Sequence, residues 1–365
     1  MKTDNNSEDF ELPGRLGNPM MRLQDDPRLD PRIRRAMDRL GLFAEMPDLP
    51  VNLNSSIDEI REFCIQAEVG YEYQSKITHS DWKPLDGVEV ENRQIVGPEG
   101  NQIDIFIHRP KNQVGSLPGI LHLHGGGMVL MSTTSPVYDQ WKSELANSGM
   151  VVVGVEFRNA GGKLGPHPFP AGLNDCVAAL RWMHENRDAL NLSGIVVSGE
   201  SGGGNLAIAT SLKAKMEGFV NEINGVYAQA PLISNRLVDK DPSLLSLFEC
   251  DGYVIDLKLV ATLTKLYDPL EENTKNPLAW PIYASEELLE GLPPHFFSQN
   301  QLDPHRDEGI AYASKLLAAG VDVSSRTING TYHVADMIYR AEIPDIFYAT
   351  INSIKSFAES VSEPK

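Results

Sequence analysis

Two glycine-rich turns and two residues far downstream carry the types and spacing that suit acyl-transfer chemistry. Gly199-Glu-Ser-Gly-Gly203 matches G-x-S-x-G, with Ser201 at its centre. The apolar segment IVVS before it reads as a buried strand, and NLAIATSLKAK after it reads as a helix. A strand-to-helix turn this sharp needs small neighbours and leaves the serine hydroxyl exposed above a sheet in a strained conformation. The helix start also offers free backbone N–H groups and a positive dipole end to developing negative charge. A glycine-rich turn with a capping serine would share the motif but not this context. His124-Gly-Gly-Gly127 directly follows the apolar run GILHL. Its glycines permit close backbone approach, so the Gly126 and Gly127 N–H groups can be aimed at a tetrahedral oxyanion, with Gly202 as a third donor. A phosphate-cradling loop is the rival reading, but neither Gly-Lys-Ser/Thr nor G-x-G-x-x-G follows.

A nucleophilic serine needs a base, and the base needs an orienting carboxylate. His333, in Gly-Thr-Tyr-His-Val-Ala-Asp, follows the late strand candidate VDVSSRTI and is the one histidine beyond His305. Asp303, in Gln-Leu-Asp-Pro, comes just after the strand candidate HFFSQNQ. Serine, acid and histidine in this chain order, each in a loop after a strand, is the arrangement a nucleophile elbow requires. Asp307, four residues on, is expected instead to cap the helix through GIAYASKLLAAG. His124 is expected to be structural, and His167 to belong to a rigid proline-rich loop. His305 lies too close to Asp303 in sequence to complete a triad. His79, His108, His122, His184 and His295 show no metal-ligand spacing, so no metal site and no cofactor are expected.

The elements that must position these residues follow from the apolar pattern. VEVENRQIV and QIDIFIH, joined by GPEGN, read as an antiparallel hairpin. Short apolar runs then alternate with helical segments: strands at 119–124, 150–157, 194–200, 225–231, 295–301 and 321–328, helices near 137–147, 172–187, 203–216, 307–318 and 344–358. That alternation predicts an α/β fold with a mostly parallel sheet covered on both faces. Before the hairpin the chain reads helical. Asp30 and Pro31 suit N-cap and N1, and Gly41 suits a stop. Ser56 and Glu59 form a capping-box pattern. Between 232 and 285 the alternation lapses. The expected division is therefore an N-terminal helical arm or cap (1–85), a catalytic domain (86–231 and 286–365), and a second cap segment (232–285) over the carboxyl edge of the sheet, where such folds bind ligands.

Composition narrows the function further. The formal charge of −18 argues against nucleic acid, whose phosphates need clustered Lys and Arg. No apolar run approaches the roughly 20 residues of a membrane span. The opening MKTDNNSEDF is polar and acidic, so no signal peptide is expected and the protein is read as cytoplasmic. Three scattered cysteines, Cys64, Cys176 and Cys250, fit reduced thiols.

At HGGG, GESGGGNLA and LDPHRDEG, spaced in this way, the sequence resembles the hormone-sensitive-lipase-like esterases. HPFPAGLNDC (167–176) and NPLAWPIYASEELLEGLPP (276–294) also resemble that family, and the similarity runs over roughly residues 90–340. The resemblance implies an α/β-hydrolase fold with a helical cap. It implies a carboxylesterase with triad Ser201, Asp303 and His333 and oxyanion donors Gly126, Gly127 and Gly202. Two places depart from the family wording: Phe157-Arg-Asn-Ala-Gly-Gly-Lys163 stands where something like YRLAPE is usual, and His305 where leucine is usual. Both are expected near the pocket rim. The activity expected is hydrolysis of soluble short- to medium-chain esters, lactones included, by a monomer or homodimer acting on small molecules. An amidase or lactonase using the same triad, a lipase working at an oil–water interface, and a non-catalytic ligand-binding protein on the same fold remain as alternatives.

Overall fold

The computed structural model describes residues 15–18, 20–43 and 49–362. The acidic opening stretch, and with it part of the 1–85 arm, lies outside the described residues. Eight strands, β1 (Val88–Val96), β2 (Gln102–Pro110), β3 (Leu117–Leu123), β4 (Val151–Glu156), β5 (Leu192–Glu200), β6 (Gly225–Gln229), β7 (His295–Leu302) and β8 (Val323–Tyr332), form one sheet. Its order is β1-β2-β4-β3-β5-β6-β7-β8. The hairpin β1–β2 is antiparallel, with Ile95 opposite Ile103, and β2 joins β4 antiparallel. Every pairing from β4 across to β8 is parallel.

Among the described residues eleven α-helical segments accompany the sheet: α1 (Pro31–Arg39), α2 (Ile57–Thr78), α3 (Pro136–Asn147), α4 (Ala171–Glu185), α5 (Gly202–Glu217), α6 (Ser246–Glu249), α7 (Leu257–Thr264), α8 (Glu286–Leu289), α9 (Arg306–Ala318), α10 (Ala335–Ile338) and α11 (Pro344–Val361). Ile120, Val152, Val196 and Tyr227 pack on one side with Trp141 of α3 and Phe347, Ile351 and Ile354 of α11. Their chain neighbours Leu121, Val153, Val197 and Ala228 pack on the other side with Leu180 of α4, Leu206 and Leu212 of α5 and Leu316 of α9. Successive strand side chains point to opposite faces and both faces are dry, which is why these runs are continuously apolar. Each fully buried Val or Leu contributes roughly 1.5–3 kcal/mol, so this double-sided burial is the main drive for the sheet.

The capping signals fall where the residues predict. The Asp30 side chain accepts the Arg32 N–H at 2.8 Å and starts α1. Ser56 and Glu59 make both halves of a capping box at the start of α2. One strand end differs from expectation. β8 runs to Tyr332 because the chain passes Gly330 at φ 78° in a bulge and does not stop there. Gln301 Oε1 accepts the Gly330 N–H at 2.9 Å, and the Gly330 carbonyl accepts the Asp30 N–H at 2.9 Å. A bulge of this kind re-aims the residues that follow it, and these are Tyr332 and His333.

The segments outside the sheet have their own packing. Leu23, Leu29, Ile33 and Met37 cluster with Cys250 and Tyr253 of the insertion and with Tyr332 and Tyr339. Ile60 and Cys64 of α2 join the main core.

Candidate active site

Strand order alone brings the chemistry-bearing loops together. β3 lies between β4 and β5, so chain connections leave it in opposite directions and open a crevice at its carboxyl end. His122 pairs with Ser198 and Leu123 with Gly199. The loop His124–Gly127 leaving β3 therefore lies against the turn leaving β5. On the neighbouring side Leu302 pairs with Tyr332, which sets Asp303 beside His333.

Ser201 sits at φ 56°, ψ −119°. A non-glycine residue there stores about 1–3 kcal/mol of strain and needs its surroundings to hold it. Its N–H donates to the Gln229 carbonyl at 2.9 Å, and its own carbonyl accepts the Asn205 and Leu232 N–H groups, each at 3.1 Å. The turn is closed on its inner side as well: a Cβ at Gly203 would come within 2.0 Å of the Leu123 carbonyl oxygen.

His333 Nδ1 lies 2.8 Å from Asp303 Oδ2, and Asp303 is wholly buried. Burial alone would push the Asp303 carboxyl up. The interactions with His333 and His305 together outweigh it and hold the group below its ordinary value. An ionised Asp303 fixes the imidazole with its proton on Nδ1, which leaves Nε2 with a free lone pair. The second Asp303 oxygen accepts the His305 backbone N–H at 2.9 Å.

Ser201, His333 and Gly125–Gly127 line one cavity of about 240 Å³. Leu130, Met131, Val260, Leu263, Met337 and Ile338 supply much of its apolar wall. Gly126 and Gly127 take φ 103° and 63°, conformations that suit glycine. A Cβ at Gly202 would come within 2.6 Å of the Gly127 nitrogen, so the two turns are in contact. Among the described residues none accepts a hydrogen bond from the Gly126, Gly127 or Gly202 N–H. Asp303 stands behind His333, out of the cavity wall.

Three supports of this site were not foreseen from the residues. Glu200, next to the serine, is buried and accepts the Gly125 N–H at 2.7 Å, while its other oxygen lies 3.1 Å from His122 Nε2. It ties the β5 turn to the β3 loop. Its signal was available: an acidic side chain inside a turn otherwise built of small residues. Glu68 of α2, 1 % exposed, accepts the Met131 N–H at 2.7 Å and the Lys163 N–H at 2.6 Å. No local pattern announces a pairing across that sequence distance. The third is the segment from Phe157 to Lys163, which was expected at the pocket rim. It lies behind the glycine loop instead: Phe157 stacks on His124 with centroids 4.1 Å apart, and the Ala160 and Gly161 N–H groups donate to the Met128 and Val129 carbonyls at 3.0 and 2.9 Å. Of the two departures, His305 alone lines the cavity.

Asp307 also has a different task from the one expected. α9 begins at Arg306 with no side-chain cap, so Asp307 already lies inside its first turn. Its Oδ2 accepts the Ser246 N–H at 2.8 Å, and its own N–H donates to Ser246 Oγ at 3.0 Å, which fastens α6 to α9. His124 is structural as expected. Its Nδ1 donates to the Gly125 carbonyl at 2.8 Å, and burial lowers its pKa to about 3, so it is uncharged. Among the described residues no group of His, Cys, Asp and Glu is arranged to hold a metal ion, and no helix is long and apolar enough to cross a membrane.

Residues 120–337 match a family model described as the alpha/beta hydrolase fold. Brefeldin A esterase, described as a bacterial homologue of human hormone-sensitive lipase, superimposes with a TM-score of 0.90 at 41% identity, covering 96% of this chain and 98% of that one. Carboxylesterase NlhH of Mycobacterium tuberculosis is 32% identical over 66% of this chain and 73% of its own length. The arylesterase of Saccharolobus solfataricus is 32% identical over 68% of this chain and 78% of its own.

Proposed function

The chain belongs to the α/β-hydrolase family and is a carboxylic-ester hydrolase; from that premise we propose that it works as a serine esterase through Ser201, His333 and Asp303. The observation that carries this reading is the buried 2.8 Å pair of Asp303 and His333, whose histidine lines the cavity that Ser201 also lines.

In this mechanism His333 Nε2 takes the Ser201 proton as Oγ attacks the ester carbonyl. The Gly126, Gly127 and Gly202 N–H groups, free of acceptors among the described residues, receive the negative charge that develops on the carbonyl oxygen. His333 then gives its proton to the leaving alcohol, and water repeats the sequence on the acyl-enzyme. Asp303 keeps the imidazole in the required tautomer and stabilises the imidazolium. No step calls for a cofactor.

The N-terminal arm and residues 232–285 act in this reading as a two-part cap. Tyr71, Gln74 and Thr78 of α2 and Val254, Val260 and Leu263 of the insertion line the cavity from outside the sheet, which supports that role. The modest, largely apolar space favours esters with short to medium acyl chains. The three buried, unpaired cysteines fit a reducing compartment such as the cytoplasm.

The test is a panel of p-nitrophenyl esters of rising chain length, with a matched anilide and a macrocyclic lactone, run on wild type and on Ser201→Ala. We expect an optimum among short and medium esters, far slower anilide turnover, and a loss of roughly 10⁶ in kcat in the variant. A variant that keeps more than a few per cent of wild-type kcat contradicts the assignment.

A further inference from the structure

Val334, the residue after the general base, sits at φ 51°, ψ 19° and lines the cavity. For a β-branched side chain this is an outlier, and it persists only where the surroundings hold it. His333 therefore stands on a strained turn, as Ser201 does. At Ser201 the backbone is the support; here a side chain takes that part. Asn300 of β7 is buried, and its Oδ1 accepts the Val334 N–H at 3.0 Å. Its Nδ2 donates to Thr331 Oγ1 at 2.8 Å and to Asp336 Oδ1 at 2.9 Å. One amide thus grips the chain on both sides of His333, and the mechanism above gives it no work.

The strand register puts Asn300 where it can do this. Asn300 pairs with Ile328 and Leu302 with Tyr332, so β8 bulges opposite the end of β7. Successive β7 side chains point to opposite faces. Gln301 holds Gly330 of the bulge, and Asn300 holds Thr331 and Val334. The hydrogen-bond partners also fix which way the amide points. The Thr331 hydroxyl gives its one proton to the Ile328 carbonyl at 2.8 Å, so its oxygen accepts from Asn300. A reversed amide would set Nδ2 against the Val334 N–H, donor on donor. Asp336 is buried too, and its second oxygen accepts the Thr350 hydroxyl of α11 at 2.9 Å. The grip on the His333 turn is thereby anchored in the body of the domain.

We propose that Asn300, oriented by Asp336, is a positioning residue for the general base, holding the strained His333–Val334 turn so that the imidazole stays aimed at Ser201. This rests on Ser201 and His333 being the reacting groups. Asp303 fixes the imidazole through its ring, and Asn300 fixes it through the backbone that carries it. Losing the second support lets the ring move while Asp303 is still present, and a displacement of about 1 Å can cost on the order of 10²-fold in rate. Asn300, Thr331 and Asp336 do not line the cavity, so substrate binding should change little.

The experiment measures kcat, KM and thermal melts for wild type, Asn300→Asp, Asn300→Leu and the double variant Asn300→Asp with Asp336→Asn. Asn300→Asp keeps the shape but replaces both donors with acceptors facing Asp336, and Asn300→Leu removes the polar atoms. Each single variant should lose roughly 10- to 100-fold in kcat per folded molecule, with KM within about threefold of wild type. The double variant exchanges donor and acceptor between the two positions and should recover part of the kcat that Asn300→Asp loses. If the single variants do not fold, Thr350→Val reads the same chain from α11, with a fall of about threefold in kcat, the scale of one hydrogen bond. A role in stability alone predicts lower melting temperatures with kcat per folded molecule unchanged, and that result would overturn the proposal. So would a loss carried entirely by KM, or a double variant that recovers no kcat. Failure of the underlying site shows separately, as ester turnover surviving in Ser201→Ala.

Discussion

The turn after β5 and the covering layer border the same cavity, but different forces hold them. At the turn, the backbone is the scaffold. Ser201 is pinned by three main-chain hydrogen bonds, and Gly203 sits where a Cβ would strike the Leu123 carbonyl. In the covering layer, charged side chains clamp backbone that is otherwise loop. Glu68 holds residues 131 and 163 to α2, Asp307 holds Ser246, and the buried Asp26 pairs with Arg28 and accepts from Tyr253. The first kind of support fixes Ser201 in place and leaves no room for a side chain at Gly203. The second kind shapes the pocket and can be weakened in steps.

This difference orders the expected losses. Asp303→Asn attacks the rigid side and should lower kcat by something on the order of 10⁴ while leaving the melting temperature nearly intact, because the amide favours the wrong imidazole tautomer. Parallel kcat and thermal melts check it, and a loss of fold without a loss in kcat per folded molecule would break the comparison. Glu68→Ala attacks the covering layer. It strands two part-buried N–H groups and should cost about 2 kcal/mol in chemical denaturation. Because Met131 lines the cavity, KM should shift more than kcat. An effect confined to kcat would place Glu68 with the rigid machinery instead. Asp307→Ala should be mildest, about 1 kcal/mol of stability with little change in turnover, since the α6 tie is partly shared by Ser246 Oγ and the Pro304 carbonyl. If Asp307→Ala abolishes activity while Asp303→Asn does not, the acid has been assigned to the wrong residue.

How much was legible in the sequence follows the same division. The strand–turn–helix around Ser201, the glycines after β3, and the order of acid and histidine are local signals, because each is imposed by what the backbone must do within a few residues. The capping residues Asp30 and Ser56 were legible for that reason too. The Glu68 clamp, the Glu200–His122 tie and the Phe157 stack join residues distant in the chain, and no local periodicity encodes them. The role of Asp307 was misjudged on the same ground. A short acceptor near a helix start suggests a cap, and the true partner, Ser246, belongs to an insertion whose path local pattern does not give. His305 was visible as a departure, but its burial against Glu308 was not.

The central claim is that Ser201 is an activated nucleophile, and covalent capture tests it most directly. The native protein, treated with an organophosphate or a sulfonyl fluoride and mapped by peptide mass spectrometry, should carry one adduct per chain on the peptide containing Ser201, with activity falling in step with labelling. Asp303→Asn should label far more slowly. An adduct on another residue, or full activity loss with Ser201 unmodified, would contradict the account.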